Sequence, residues 1–421
     1  MDPALEELRW RGLISNSTDL DALSEEFAKG PVTYYIGFDP TAPSLHIGHL
    51  VQLLTMRRLQ QFGHRPLALV GGATGLIGDP RPTAERTLNS RETVGEWVQK
   101  IRGQIEPFLE FDGPAAARMV NNLDWTAPLS AIDFLRDIGK HFRVGRMLAK
   151  DAVSARLNSE AGISYTEFSY QILQALDFRE LYRGYGCVLQ IGGSDQWGNL
   201  TAGTDLIHRT EGVSAHALAT PLITKADGTK FGKTEGGAVW LDPSMTSAYA
   251  FFQFWLNVED AKIGDYLRVF SFRTREEIAA LEASAAERPQ AREGQRALAR
   301  DLTSLVHGPK AMEQAEAAAA ALFGGGDLTA LDDGTLADAL GQLPVARLPR
   351  VDHPVADLLV AAGLAPSKSA ARRTLKEGGA YLNNAKVPGE DSTAGVADLL
   401  HGRWLVVRRG RKAIGAVELV D

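Results

Sequence analysis

Apolar positions along the chain change period repeatedly, and each change marks an element. Leu5, Leu8 and Trp10 recur at helical spacing within Pro3 to Arg11, and a second short helix is predicted over Leu20 to Lys29, ended by Gly30-Pro31. Val32 to Ile36 is β-prone. Leu45, Leu50, Leu53, Leu54 and Leu59 then return to helical spacing over 45–62, with Ser44 as the predicted N-cap. Gly63 closes that helix, and Leu67-Ala68-Leu69-Val70 is the unbroken apolar run of a strand covered on both faces. The β-α-β order predicts an α/β fold with a doubly wound parallel sheet. Helices follow over 91–110, 130–139 and Ser164 to Asp177, with strands at Arg118-Met119-Val120 and Val188 to Ile191.

Beyond Thr246 the pattern stays helical to about Phe323. Gly324-Gly325-Gly326-Asp327 breaks it, and Pro344, Pro349 and Pro354 follow, the best linker signal in the chain. Val355 to Leu359 opens a small α/β unit. The expected division is a catalytic domain over 1–245, a helical domain over 246–330, a linker over 331–351 and a small domain over 352–421. A length of 421 residues suits two or three cores.

Composition narrows the class. With 44% hydrophobic and 23% charged residues the chain reads as a soluble globular protein. No apolar run approaches the roughly 20 residues of a membrane span, and the acidic N-terminus lacks a leader pattern. Cys187 stands alone, which leaves no disulfide framework or cysteine metal site and predicts a cytoplasmic location. The net charge of −7 argues against nucleic-acid binding by charge alone. Residues 352–421, however, carry ten Lys and Arg against eight Asp and Glu, so the tail is +2 and the rest −9.

The candidate chemistry lies after the strands. His46 and His49, at i and i+3 at the start of a helix, can both face a phosphate beside the helix N-terminus. A metal half-site or two solvated histidines are the competing readings. Gly71 to Gly78 permits close approach of backbone to a ligand. Asp79 at its end offers either an anion for an ammonium group or a turn cap. Tyr170, Gln174 and Asp177 fall at i, i+4 and i+7 and form a polar stripe among Phe168, Ile172 and Leu173, which needs partners when buried. Asp195, after Gly192-Gly193, caps the next helix or meets a ribose. Lys230 and Lys233 sit on a glycine-containing loop that is either a surface loop or one able to close over a triphosphate.

Taken together, His46-Ile47-Gly48-His49 and Lys230-Phe231-Gly232-Lys233-Thr234 resemble the two signatures of class I aminoacyl-tRNA synthetases, which have a Rossmann-like catalytic domain. Tyr35 to Thr41, Gly71 to Pro80, Tyr170/Gln174/Asp177 and Gln190 to Trp197 resemble the bacterial-type tyrosyl-tRNA synthetase family, over essentially the whole chain. The resemblance implies tyrosine activation by ATP, with Mg²⁺ on the triphosphate and no protein-bound metal, then transfer to tRNA(Tyr) by a homodimer. It places Tyr35 and Asp177 on the substrate phenol. Asp79, Tyr170 and Gln174 would lie on its ammonium, Gln196 by its carboxylate and Asn122 behind the pocket. It sets Gly37, Asp39, Gly193 and Asp195 beside adenosine. Thr41, His46 and His49 would lie at the phosphates, with Lys230, Lys233 and Thr234 closing over the leaving diphosphate.

Two positions depart from the family pattern: Ile36 stands where relatives commonly have Cys, and Arg81 and Arg86 replace a customary lysine. The tail resembles an RNA-binding fold of a small-subunit ribosomal protein, with Lys368, Arg372, Arg373 and Lys376 on a helix and Arg408, Arg409, Arg411 and Lys412 near the end. The rivals are a tryptophanyl-tRNA synthetase and an RNA-binding protein with an inactive core. Tyr35 paired with Asp177 disfavours the first, because indole has one donor and no acceptor. Both signatures being intact disfavours the second.

Overall fold

A computed structural model describes residues 1–81, 87–160, 162–234, 237–410 and 413–421, without the side chains of residues 151, 152, 233 and 234. Arg86, Arg411 and Lys412 therefore lie outside the described residues, as do the side chains of Lys233 and Thr234. The chain divides into two units, Met1–Asp242 with Glu259–Ala283, and Pro243–Val258 with Ser284–Asp421.

The first unit contains one sheet built from β1 (Asn16–Ser17), β2 (Thr33–Phe38), β3 (Arg65–Val70), β4 (Arg118–Asn121), β5 (Cys187–Gly193) and β6 (His216–Thr220). Their spatial order is β1-β6-β5-β2-β3-β4; β2 to β6 are parallel and β1 is an antiparallel edge. Winding proceeds outward from β2 to β4 on one side and from β5 to β6 on the other. A ligand crevice is expected at the carboxyl ends of the strands flanking that reversal, here Asp39 after β2 and Gly192-Gly193 of β5. Tyr34, Tyr35, Ile36 and Phe38 of β2 are all buried, because both faces of the sheet are covered. β6 is not apparent in the sequence, since His216 and Thr220 break its apolar run; both are buried all the same.

The helix after β2 spans Ile47–Gln61 and is capped by His46, not by Ser44. Ser44 instead accepts the Asp242 amide at 3.1 Å and donates to the Leu45 carbonyl at 2.7 Å, so it ties two loops together. The predicted helix over 130–139 is a short turn, Ala131–Asp133, running into a π-helical turn, Phe134–Ile138.

The first unit breaks at Asp242, close to the expected boundary at 245, but it also takes in a segment from within the helical domain expected over 246–330. Glu259–Ala283 packs within the first unit. Its helix Ile263–Phe270 buries Ile263, Tyr266, Leu267, Val269 and Phe270. Arg11 locks it by donating to the carbonyls of Arg268 at 2.8 Å, Ser271 at 2.9 Å and Arg273 at 2.9 Å. Helical periodicity shows which face is buried but not against which core, so the sequence could not separate this helix from its neighbours.

In the second unit the helices Ala248–Leu256, Glu293–His307 and Pro309–Gly324 share an apolar core containing Phe251, Trp255, Leu298, Leu302, Ala318 and Leu322. Residues 331–351, expected as a linker, are structured. Asp333–Leu340 is a helix burying Leu336, Ala339 and Leu340, and Val345–Pro349 is a strand paired in parallel with Ala413–Val420. That strand is an edge of the sheet, where proline is tolerated, which is why a proline-marked segment can still pair. The sheet runs Ala385–Lys386, Ala380–Leu382, Trp404–Arg409, Ala413–Val420, Val345–Pro349. It packs with the helices Val355–Ala361 and Lys368–Lys376 around Leu358, Leu359, Leu375 and Val417. Asn383 and Asn384, both at positive φ, make the tight turn between its first two strands.

Candidate active site

A cleft of about 460 Å³ opens at the carboxyl ends of β2 and β5. The sequence candidates Tyr35, Gly37, Asp39, Thr41, His46 and His49 line it from the β2 side. Asp79 closes it from the loop after β3, and Tyr170, Gln174 and Asp177 reach it from the helix Tyr165–Tyr185. Gly193, Asp195 and Gln196 follow β5, and Lys230 comes from the loop beyond β6. Residues far apart in sequence are thus brought together around one cleft, with Asn122 fully buried behind its wall.

The two histidines are organised by the helix they begin. The Gly48 amide donates to His46 Nδ1 at 3.0 Å, and the His46 amide donates to His49 Nδ1 at 3.2 Å. A ring nitrogen that accepts a backbone N–H is unprotonated, so each neutral imidazole carries its hydrogen on Nε2. The rings stack with centroids 4.0 Å apart. Burial and the neighbouring His46 hold His49 down at about 3, so it is uncharged at neutral pH. His49 is therefore a neutral N–H donor and carries no fixed positive charge.

Asp177 sits at the deep end. Asn122 Nδ2 donates to its Oδ2 at 3.0 Å and Trp125 Nε1 to its Oδ1 at 2.9 Å, yet burial still pushes the carboxyl up to about 8. The Tyr35 hydroxyl, also buried, makes no hydrogen bond of full geometry although the Gln190 side chain lies beside it, and the charge of Asp177 adds to burial in raising its pKa. Asn122 also donates to Thr74 Oγ1 at 2.9 Å, Thr74 donates to Asp39 at 2.6 Å, and Tyr170 donates to the other Asp39 oxygen at 2.6 Å. One chain of hydrogen bonds thus joins the two ends of the pocket. Gly71 serves this chain rather than a ligand: a Cβ there would lie 2.1 Å from Asp39 Oδ1. Of the four glycines in that loop only Gly78 has positive φ, 82°.

Asp79 accepts from Gln196 Nε2 at 2.9 Å and from Asn199 Nδ2 at 3.1 Å. Asp195 does not cap the next helix, whose N-cap is Gln196; it stands exposed at the cleft rim. The Lys230 loop is tied to the His46 turn. Phe231 N–H bonds the Ile223 carbonyl at 3.0 Å, Val239 N–H the Gly232 carbonyl at 3.1 Å, and Ile47 N–H the Val239 carbonyl at 3.0 Å. Gly232 has φ 89°, a backbone conformation that favours glycine, and a Cβ there would only touch Ile47 at 3.4 Å. The Phe231 ring packs on Tyr266 at 4.4 Å and Phe270 at 6.0 Å, which explains why the helix Ile263–Phe270 belongs to this unit.

Thr74 and Gln190 also line the cleft, and Trp125, Lys150 and Asn199 belong to the hydrogen-bond network behind it; sequence reasoning singled out none of them as site residues. Gln190 alone had a signal, a polar residue inside an apolar strand run. On the tail, Lys368, Arg372, Arg373, Lys376 and Arg409 are exposed. Arg408 is not a surface cation: it is 7% exposed and donates to Asn384 Oδ1 at 2.8 Å, supporting the Asn383-Asn384 turn. Burial runs unbroken from Trp404 to Arg408 and stops at Arg409, so both faces of the strand are covered up to its last residue, which the sequence pair Arg408-Arg409 does not reveal.

Comparison with known proteins agrees with this geometry. Residues 28–324 match the family model for class I tRNA synthetases (W and Y), and residues 335–415 match the SYY-like C-terminal domain of tyrosine–tRNA ligase. The chain is 67% identical over 420 residues to a tyrosine–tRNA ligase of Streptomyces coelicolor, covering 100% of this chain and 99% of that one. It is 66% identical to the corresponding Streptomyces avermitilis protein with the same coverage. Among solved structures, a C-terminally truncated mitochondrial tyrosyl-tRNA synthetase of Coccidioides posadasii is 32% identical with a TM-score of 0.66, covering 74% of this chain and 90% of that one.

Proposed function

The chain belongs to the tyrosine–tRNA ligase family of class I aminoacyl-tRNA synthetases, and we propose how its cleft divides the reaction among named side chains. The enzyme activates L-tyrosine with ATP to tyrosyl-adenylate and diphosphate, then transfers tyrosine to the 3′ end of tRNA(Tyr). The observation that carries the substrate assignment is the buried, unpartnered Tyr35 hydroxyl beside the Asp177 carboxyl. A phenol satisfies both: its O–H donates to Asp177 and its oxygen accepts from Tyr35. Phenylalanine leaves both groups unpaired. Indole could donate but not accept.

At the other end Asp79, Tyr170 and Gln174 take the ammonium, and Gln196 meets the carboxylate. That carboxylate attacks the α-phosphorus; its O–P bond forms as the bond to the β-phosphate oxygen breaks. No protein nucleophile or general base is needed, so catalysis is positioning and charge stabilisation. Gly37, Asp39, Gly193 and Asp195 border adenosine. His46 and His49 offer Nε2–H donors, with Thr41 alongside, and Lys230, Lys233 and Thr234 close over the diphosphate. Mg²⁺ arrives with ATP as part of the substrate.

Three further readings belong here. Exposed Ile132, Leu135, Val144, Leu148, Leu157 and Tyr165 support a homodimer built on the segment 131–165. The exposed cations of the helix Lys368–Lys376 support tRNA binding by a domain over about 335–421, with helices of 243–258 and 284–324 on the anticodon side. A cytoplasmic location fits the translational role. No helix among the described residues is long and apolar enough to cross a membrane. The substrate assignment is tested by Tyr35→Phe: discrimination against phenylalanine should fall by at least about ten-fold, and unchanged discrimination would refute it.

A further inference from the structure

The side chains behind Asp79 form a chain whose polarity is fixed at both ends, by the Asp79 carboxylate inside the cleft and by an ammonium outside it. Lys150 runs inward past Gly198, where a Cβ would lie 2.9 Å from its Cε. Its Nζ donates to Asn199 Oδ1 at 2.8 Å. An ammonium has donors only, so Asn199, itself 8% exposed, must turn its oxygen to Lys150 and its Nδ2 the other way. That Nδ2 donates to Gln196 Oε1 at 2.8 Å and Asp79 Oδ1 at 3.1 Å. With its oxygen held, Gln196 presents Nε2 to Asp79 Oδ2 at 2.9 Å. Neither Lys150 nor Asn199 lines the main cleft; Lys150 borders a second cavity of about 250 Å³. Burial pushes its ammonium down to about 7 even though Asp79 opposes the shift, so Lys150 sits there at an energetic cost.

We propose that Lys150 and Asn199 are positioning residues for amino-acid binding, which act by fixing the amide of Gln196 so that N–H, and not C=O, faces the tyrosine carboxylate. The inference rests on the reading that Gln196 lies by that carboxylate. Without the Lys150 donor the buried Asn199 oxygen is left unpaired, and only the bonds of its Nδ2 to Asp79 and Gln196 hold the amide in place. Gln196 then keeps its bond to Asp79 but loses the firm hold on its oxygen, so in part of the population the amide turns and its oxygen repels the substrate carboxylate.

The test compares tyrosine with tyramine, which keeps the phenol and the ammonium but lacks the carboxylate. Lys150→Met should raise the KM for tyrosine in diphosphate exchange about ten-fold. The KM for ATP should not change, and the Ki of tyramine should change less than about two-fold. Gly198→Ala, which crowds Lys150 without removing its amine, should give the same split to a smaller degree and serves if Lys150→Met does not fold. Equal losses for tyrosine and tyramine, or no loss for tyrosine, would overturn the proposal. Gln196→Leu separates the two levels. If it too treats both ligands alike, the reading of Gln196 itself fails; if it splits them while the Lys150 and Gly198 variants do not, only the present inference fails.

Discussion

Tyr35 and Asp177 meet the cost of burial differently. The Tyr35 hydroxyl stays unpaired, so Tyr35→Phe should stabilise the ligand-free enzyme by about 1 kcal/mol in urea unfolding even as it loses substrate selectivity. Asp177 instead keeps its proton: its carboxyl is held at about 8 in the folded chain against an ordinary 3.8. Between those values the folded state binds more protons than the unfolded state, so stability is highest at acid pH and is lost as pH rises towards 8. Asp177→Asn should flatten that slope, measured as unfolding free energy from pH 4 to 8; an unchanged slope would contradict the assignment. His49, held at about 3, titrates below that range. An acid limb in the ATP-dependent rate between pH 5 and 8 should therefore survive its replacement.

The Lys230 loop and the edge strand of the tail each depend on a partner distant in sequence. Phe231 anchors the loop on Tyr266 and Phe270. Phe231→Ala should lower the rate of adenylate formation about ten-fold while leaving tyrosine affinity within about two-fold, read by pre-steady-state kinetics and equilibrium binding. A matching loss of tyrosine binding would show that the loop is not specific to the phosphate side. In the tail, Val345–Pro349 covers the edge of Ala413–Val420. A fragment starting at 352 lacks that cover and should lose amide protection across 413–420, compared with one starting at 331. Equal protection would mean that the strand adds nothing to the sheet.

For the whole molecule, the −7 net charge hides a tail with four exposed cations on one helix, Lys368, Arg372, Arg373 and Lys376. Replacing Arg372, Arg373 and Lys376 by Gln should reduce the salt dependence of tRNA affinity, by about 0.7–0.9 in logarithmic slope for each phosphate left unneutralised. Tyrosine-dependent diphosphate exchange should remain intact. The parallel sheet was legible because β2 and β3 are unbroken apolar runs around a helical repeat. The cleft was legible because its residues follow strand ends. What the sequence concealed depends on packing between distant segments. The cap at His46 uses imidazole nitrogens where a hydroxyl at Ser44 was the stronger local signal. Arg408 and Arg409 look alike until the cover over the strand ends between them. Lys150 and Asn199, 49 residues apart, reveal their role only through one hydrogen bond.

The most direct test is diphosphate exchange into ATP measured with each standard amino acid in turn. The geometry of Tyr35 and Asp177 predicts exchange with tyrosine, none above background with tryptophan, and phenylalanine far below tyrosine. Exchange driven by tryptophan, or none with tyrosine, would contradict it.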